Sequence, residues 1–303
     1  MAEIEKKLIV IVGPTASGKS DLAVVVAKWF NGEIVSADSR QVYRGLNIGS
    51  GKITKREMKG IPHYLLDVAN PKRTFSVAQY QKLANKAIRD IWKRGKVPIL
   101  TGGTGFYIQA VVDGLTLPSV PPNPLLRREL ASKSPAELFK LLKQLDPTRA
   151  RKIDQYNPRR LIRAIEVATA LGRVPDLPGT PLDAKILMIG LKPNQVTLKG
   201  KIKRRLMARI KQGMLAEVKR LRANDLAWQR LENFGLEYRY LAQYLQGKLS
   251  RAEMVKQLES AIYHYAKRQL TWFRRDKRII WINNKQKIFN LCRQFLTSTP
   301  AKF

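Results

Sequence analysis

The segment Gly13-Pro-Thr-Ala-Ser-Gly-Lys-Ser20 constrains this chain more than any other. It follows Leu8–Val12, an apolar run that reads as a buried parallel strand. It precedes residues 18–30, where Leu22, Val25, Val26, Trp29 and Phe30 recur at helical spacing. A Gly-x-x-x-x-Gly-Lys-Ser turn between a strand and a helix cradles phosphate groups. Glycines let the backbone curl so that several N–H groups face inward, and the helix N-terminus adds a favourable dipole. The expected diphosphate-binding set is therefore Gly13, Pro14, Thr15, Ala16, Ser17, Gly18, Lys19 and Ser20, with Lys19 on the phosphate oxygens and Ser20 as a Mg²⁺ ligand. The motif leaves open whether phosphoryl transfer follows, so a small-molecule kinase remains a reading of it.

The rest of the first half alternates strands and helices. Strands are expected at 33–37, 97–100 and 185–191, and helices at 75–94, capped by Ser76 and stopped at Gly95, and at 104–112. That alternation predicts an α/β fold with a doubly wound parallel sheet. Prolines 118, 121, 122 and 124 mark a boundary, and a second proline-rich stretch covers 175–181. Between them lie only helical patterns. The predicted organisation is an α/β core of residues 1–117 and 182–303 interrupted by a helical insert, 118–181. From about 195 to 275 the chain reads as helical and basic, with a last strand at 279–282.

Charge narrows the partner. The 303 residues hold 57 Lys and Arg against 23 Asp and Glu, a formal net charge of +34, spread along the chain rather than gathered in a tail. A surplus of this kind points to a polyanion, nucleic acid before an anionic membrane surface. No apolar run of about 18 residues occurs, which argues against a membrane span, and the charged N-terminus lacks a signal-peptide core. The single cysteine, Cys292, excludes an internal disulfide and a multi-cysteine zinc site, consistent with a reducing cytoplasm.

Further candidate groups fall at the carboxyl ends of the predicted strands, where ligands of such sheets bind. Asp38, in Ser36-Ala-Asp-Ser-Arg-Gln-Val-Tyr43, has three readings: general base, Mg²⁺ ligand or helix cap. Thr101-Gly-Gly-Thr-Gly105 is a second glycine-rich turn whose amides and hydroxyls are placed to meet a diphosphate. His63 and His264 lack partners at metal-ligand spacing and read as structural or surface residues, and Asp67 reads as a turn residue. On residues 251–275, Met254, Leu258, Ile262, Tyr265 and Trp272 share a helix face that reads as core. Lys201, Lys203, Arg204, Arg205, Arg209, Lys256, Lys267, Arg268, Arg274 and Arg275 supply charge that fits a groove tracking nucleic-acid phosphates.

Taken in order, several blocks resemble the tRNA dimethylallyltransferase (tRNA isopentenyltransferase) family, in its bacterial form. They are Gly13–Ser20; Asp38-Ser39 with Gln41 and Tyr43; Pro62-His63 with Leu65-Leu66-Asp67; Gly102-Gly-Thr-Gly-Phe-Tyr107; Leu145-Asp-Pro147; Pro158-Arg-Arg-Leu-Ile-Arg-Ala-Ile-Glu-Val167; and Tyr265-Ala-Lys-Arg-Gln-Leu-Thr-Trp-Phe-Arg274. The phosphate turn is generic; the Asp38 and Tyr265 blocks are more specific. The resemblance implies a P-loop NTPase-like core with a helical inserted domain and a helical C-terminal extension. It implies transfer of a dimethylallyl group from dimethylallyl diphosphate to the exocyclic N6 of adenosine 37 in the tRNA anticodon loop, with Mg²⁺ as cofactor and a cytoplasmic monomer as the working form. By resemblance Asp38 takes the proton from the adenine amine and Thr104 contacts the donor near its bridging oxygen. Asp38, Ser39, Arg40, Gln41 and Thr104 meet the target nucleotides, and Arg127, Arg159, Arg160, Leu161, Ile162, Arg163, Lys267 and Arg268 meet the rest of the tRNA.

One departure from the family pattern stands out. Some members place an arginine three residues before a glycine of the C-terminal half, where this chain has Glu232 before Gly235. A diphosphate-binding arginine does not carry over to that position; Arg239 and Arg268 are the substitutes the sequence offers. Two other functions compete: a P-loop enzyme acting on small molecules, as a kinase or an adenine-nucleotide isopentenyltransferase, and a non-catalytic RNA-binding module.

Overall fold

The computed structural model describes residues 5–298. In chain order, β1 (Lys7–Val12) leads through the glycine turn into α1 (Lys19–Trp29) and β2 (Gly32–Ser36). Then come α2 (Lys55–Met58), β3 (His63–Tyr64), α3 (Val77–Lys93), β4 (Val97–Gly102) and α4 (Gly105–Val112). The next four helices are α5 (Pro124–Ala131), α6 (Pro135–Leu145), α7 (Pro147–Lys152) and α8 (Pro158–Leu171). Strand β5 (Lys185–Gly190) follows, then α9 (Gln195–Lys211), α10 (Met214–Ala223), α11 (Trp228–Asn233), α12 (Leu236–Leu245) and α13 (Arg251–Arg274). Strand β6 (Ile279–Trp281) and α14 (Lys285–Thr297) end the described chain.

All six strands are parallel, in the order β3-β2-β4-β1-β5-β6. Strand β1 lies between β4 and β5, and Leu8–Val12 are fully buried. Alternate side chains explain why the run is continuously apolar. Leu8, Val10 and Val12 pack with α3, α4 and the C-terminal helices, whereas Ile9 and Ile11 pack with α1 and α14. A parallel sheet covered on both faces requires such a strand. Because β1 turns one way to β2 and β4 turns the other way to β5, the crevice at their carboxyl ends is the topological switch point at which ligands of this fold class bind.

Local signals place the helices as the sequence predicts. Ser76 caps α3 in a capping box with Gln79, and Gly95, at φ +69°, follows its end. The basic stretch holds five helices: after α9, Gly213, Ala227, Gly235 and Ser250 each start a new one. The C-terminal segment does not stay outside the core, since β6 extends the sheet beside β5 and Ile288 and Cys292 of α14 are buried against it. The short helix α2, the two-residue strand β3 and helix α14 have no counterpart among the predicted elements.

The chain divides into two compact units, one of residues up to Val112 and from Leu182 onward, the other Asp113–Pro181. The first boundary lies five residues before Pro118, because Gly114 already pairs with the returning chain through the Thr180 amide. The second unit holds α5–α8 around its own core of Leu130, Leu138, Leu142, Ala150, Leu161, Ala164 and Ile165.

Candidate active site

The glycine turn after β1 is held by its own backbone. Ser17 N–H donates to the Pro14 carbonyl at 3.2 Å. Gly18 takes φ +87° as the residue that opens α1, a left-handed conformation that a side chain would strain. Lys19 bends back so that Nζ donates to the Pro14 carbonyl at 3.2 Å. Ser17 Oγ is buried without a hydrogen-bond partner in the chain, a polar group of the kind that a phosphate oxygen satisfies.

A cavity of about 260 Å³ opens above this turn. Thr15, Lys19 and Ser20 line it from the β1 side, Asp38, Ser39, Arg40 and Gln41 from the end of β2, and Thr101 and Gly102 from β4. Asp38 Oδ1 accepts from the backbone amides of Arg40 (2.8 Å) and Gln41 (3.3 Å), which fixes the carboxylate at the start of its turn. Thr104 Oγ1 accepts from the Ser39 amide at 3.0 Å, and the Thr104 amide donates to Ala37. The two loops at the ends of β2 and β4 are thus tied side by side; Asp38 lines the cavity, whereas Thr104, which makes the tie, is not among its lining residues.

Helices α9 and α13 supply the far wall. Arg205 and Arg209, one turn apart on α9, line the cavity, and Arg209 lies 3.4 Å from Glu237 of α12. Burial, and then the neighbouring Arg209, bring the Arg205 guanidinium down to about 10. Burial, followed by Arg205, lowers the Lys19 ammonium to about 8; Asp38 opposes the shift and Arg209 adds to it. This concentration of cations beside one carboxylate favours a bound anion. On α13, Tyr265 and Gln269 reach the cavity. Tyr265 is 38% exposed, so it is cavity lining rather than core, while burial still carries its phenol up to about 12. Met254, Leu258 and Ile262 do belong to the core.

Gln269 is buried and bridges two loops. The Thr15 amide donates to its Oε1 at 2.8 Å, and its Nε2 donates to the Gly103 carbonyl at 2.8 Å.

Other predicted residues sit elsewhere. Lys267 and Arg268 are exposed on α13, stacked over Tyr263 and Tyr265 respectively. Arg239 lines the cavity; Arg268 and Glu232 are not among its lining. His63, read as structural or surface, lines the cavity from the first position of β3. Asp67 pairs with Lys52 at 2.5 Å, as a turn residue. Arg205 and Arg209, which the sequence assigns only to a nucleic-acid groove, line this cavity instead, because nothing in a basic helix tells which of its cations turns inward; Glu237 of α12 carries no sequence signal for the site.

Within the second unit, Arg159 and Arg160 are exposed on the first turn of α8, and Ile162 is half-buried. Leu161 is corrected: its side chain is fully buried in that unit's core and presents nothing to a nucleic acid. Arg127 and Arg163 are half-committed, donating to buried Glu166 at 2.7 and 2.5 Å. Burial alone would raise the Glu166 carboxyl, but the bonds from Arg127, the Asn123 amide and Arg163 outweigh it and hold it at about 2.

A family model described as IPP transferase matches residues 41–276. A tRNA dimethylallyltransferase of Citrifermentans bemidjiense is 46% identical over 272 residues, spanning 88% of this chain and 86% of that protein. This chain belongs to the tRNA dimethylallyltransferase family. The family relative from Anoxybacillus flavithermus is 42% identical over 92% of this chain and 90% of its own length. Two solved structures share the fold. The tRNA isopentenylpyrophosphate transferase of Bacillus halodurans superposes with a TM-score of 0.73 at 36% identity, covering 96% of this chain and 97% of its own. A eukaryotic dimethylallyltransferase acting on tRNA superposes with a TM-score of 0.80 at 25% identity, covering 98% of this chain and 81% of its own.

Proposed function

We propose that this chain transfers the dimethylallyl group of dimethylallyl diphosphate to the exocyclic N6 of adenosine 37 in the tRNA anticodon loop. The observation that carries the reading is the single cavity holding Lys19 and Ser20 of the phosphate turn together with the Asp38 carboxylate. The relatives are named for dimethylallyl transfer to tRNA, which favours this acceptor over a free adenine nucleotide.

In this reading the turn of residues 13–20 grips the diphosphate with backbone amides, Lys19 and the Ser17 hydroxyl. Arg205 and Arg209 face it from α9 and fill the part that Glu232 cannot. The adenine amine is a poor nucleophile because its lone pair is delocalised into the ring. Asp38 accepts its proton as nitrogen bonds to the allylic carbon and the carbon–oxygen bond to diphosphate breaks. A positioned base of this kind contributes roughly 10²–10⁴-fold. Thr104, tied to Ser39, approaches the bridging oxygen. The cations meet the charge that develops on the departing diphosphate. The acceptor base must leave its stack to enter, which a loop nucleotide does at lower cost than one in a duplex.

Mg²⁺ fits this lining once a diphosphate is present. Ser20 and the diphosphate oxygens would be its ligands; among the described residues no three His, Cys, Asp or Glu converge on a preformed metal site. Bound there, the ion would offset the leaving group's charge. Exposed Arg159, Arg160, Lys267 and Arg268 suit tRNA phosphates. We place the enzyme in the cytoplasm as a monomer; among the described residues no helix is long and apolar enough to cross a membrane.

Labelled dimethylallyl diphosphate offered with tRNA or with AMP tests the assignment. Label is expected in tRNA alone, and Asp38→Asn is expected to lower turnover by about 10²–10⁴-fold with tRNA binding retained. Label in AMP alone would overturn the reading.

A further inference from the structure

The two glycine turns that face the donor come from different strands and do not hydrogen-bond to each other; both are held by one amide. Gln269 stands on α13, 7% exposed. Its carbonyl oxygen accepts from the Thr15 amide of the first turn, and its NH₂ group donates to the Gly103 carbonyl of the second, both at 2.8 Å. A Cβ at Gly103 would collide with Gln269 Nε2 and come within 3.6 Å of Lys19 Nζ, so the second turn passes close to both. Thr104, the next residue, ties to Ser39 beside Asp38. An unbroken path of hydrogen bonds and chain therefore runs from Thr15 through Gln269 and the Gly103–Thr104 turn to the loop that carries Asp38. Tyr265, one helical turn earlier on α13, lines the same cavity.

We propose that Gln269 is a positioning residue. It sets the spacing between the two turns, and with it the placement of the donor's leaving group against Asp38. The inference rests on the reading that these turns receive the donor diphosphate. Among ionised or apolar side chains of this length none satisfies both turns as the amide does, because one side needs an acceptor and the other a donor. Glutamate keeps the acceptor but presents a second oxygen to the Gly103 carbonyl; leucine of similar size offers neither. Asparagine is one methylene shorter and does not span the two partners.

The test uses the full-length protein, with inorganic pyrophosphate as binding probe and dimethylallyl diphosphate with tRNA as substrates. Gln269→Leu and Gln269→Glu are each expected to lower kcat by roughly 10²-fold, the cost of a misplacement of about 1 Å, and to weaken pyrophosphate binding, while KM for tRNA stays within about twofold of wild type. The pH profile separates positioning from mere folding. A protonated carboxyl can donate to the Gly103 carbonyl, so kcat of Gln269→Glu relative to wild type should rise as pH falls from 8.5 to 6. Gln269→Leu should show no such recovery. Wild-type kcat and pyrophosphate affinity in a folded Gln269→Leu protein would overturn the proposal. If Gln269→Leu does not fold, a Gln269→Glu activity that keeps a constant ratio to wild type across that range would overturn it equally. Wild-type protein that binds no pyrophosphate would remove the donor assignment itself, and this inference with it. Pyrophosphate bound equally by wild type and both variants would remove only the role of Gln269.

Discussion

At the scale of single residues, Lys19 and Glu217 show opposite ways of placing charge. The Lys19 ammonium, lowered to about 8 chiefly by burial and next by Arg205, is half neutral near that pH. An incoming diphosphate favours the charged form, so binding should take up a proton. Donor affinity should fall as pH rises through 8. Calorimetry near pH 8 in two buffers of different ionisation enthalpy should register that uptake, and Lys19→Met should abolish it. Glu217 is 1% exposed yet fully partnered. It accepts from the amides of Asn47, Ile48 and Gly49 and from the Tyr238 hydroxyl, at 2.7–3.0 Å. Glu217→Ala would leave those buried donors unpaired, and a loss of at least about 1–3 kcal/mol of stability is expected in denaturant titration. Of these residues only Lys19 is legible in the sequence, because its neighbours spell a turn with one known use. Glu217 and Gln269 lie in helices where nothing local separates an inward polar side chain from an outward one.

At the scale of elements, β1 and α1 were readable because a continuous apolar run and a glycine turn admit few alternatives. The pair Ser76 and Gly95 likewise announced both ends of α3. Strand β3 was not readable: two residues, His63 and Tyr64, carry no period, and their extended form is imposed by pairing with Ile34 and Val35 of β2. Three of the four breaks in the basic region carry a local signal, Gly213, Gly235 and the Ser250 capping box, whereas α11 starts at Ala227 without a side-chain cap. Helix α9 lines the cavity with Arg205, itself solvent-exposed, and half-buried Arg209, whereas exposed Lys201, Lys203 and Arg204 are not among the lining. The exposed cations should act through phosphate contacts. Plots of log Kd for tRNA against log salt should be steep, and the double change Lys203→Glu with Arg204→Glu should flatten the slope by about two. Donor affinity measured without tRNA should be unchanged.

For the molecule as a whole, the alternation of strands and helices set the architecture, and the proline-rich stretches flagged the insert to within a few residues of its edges. What charge alone conveyed was the class of partner; which cations meet it depended on how each helix is rotated. The insert enters and leaves at neighbouring points, since the Leu182 amide donates to the Val112 carbonyl and the Thr180 amide to the Gly114 carbonyl. Joining Gly114 to Thr180 through a two-residue link should therefore leave a folded sheet that binds pyrophosphate with unchanged affinity and tRNA more weakly, as melting and titration would show. That closed stem makes the helical unit a cassette: on the function proposed above, a change in its length or helices would leave the threading of the sheet, and with it the loop that carries Asp38, as they are.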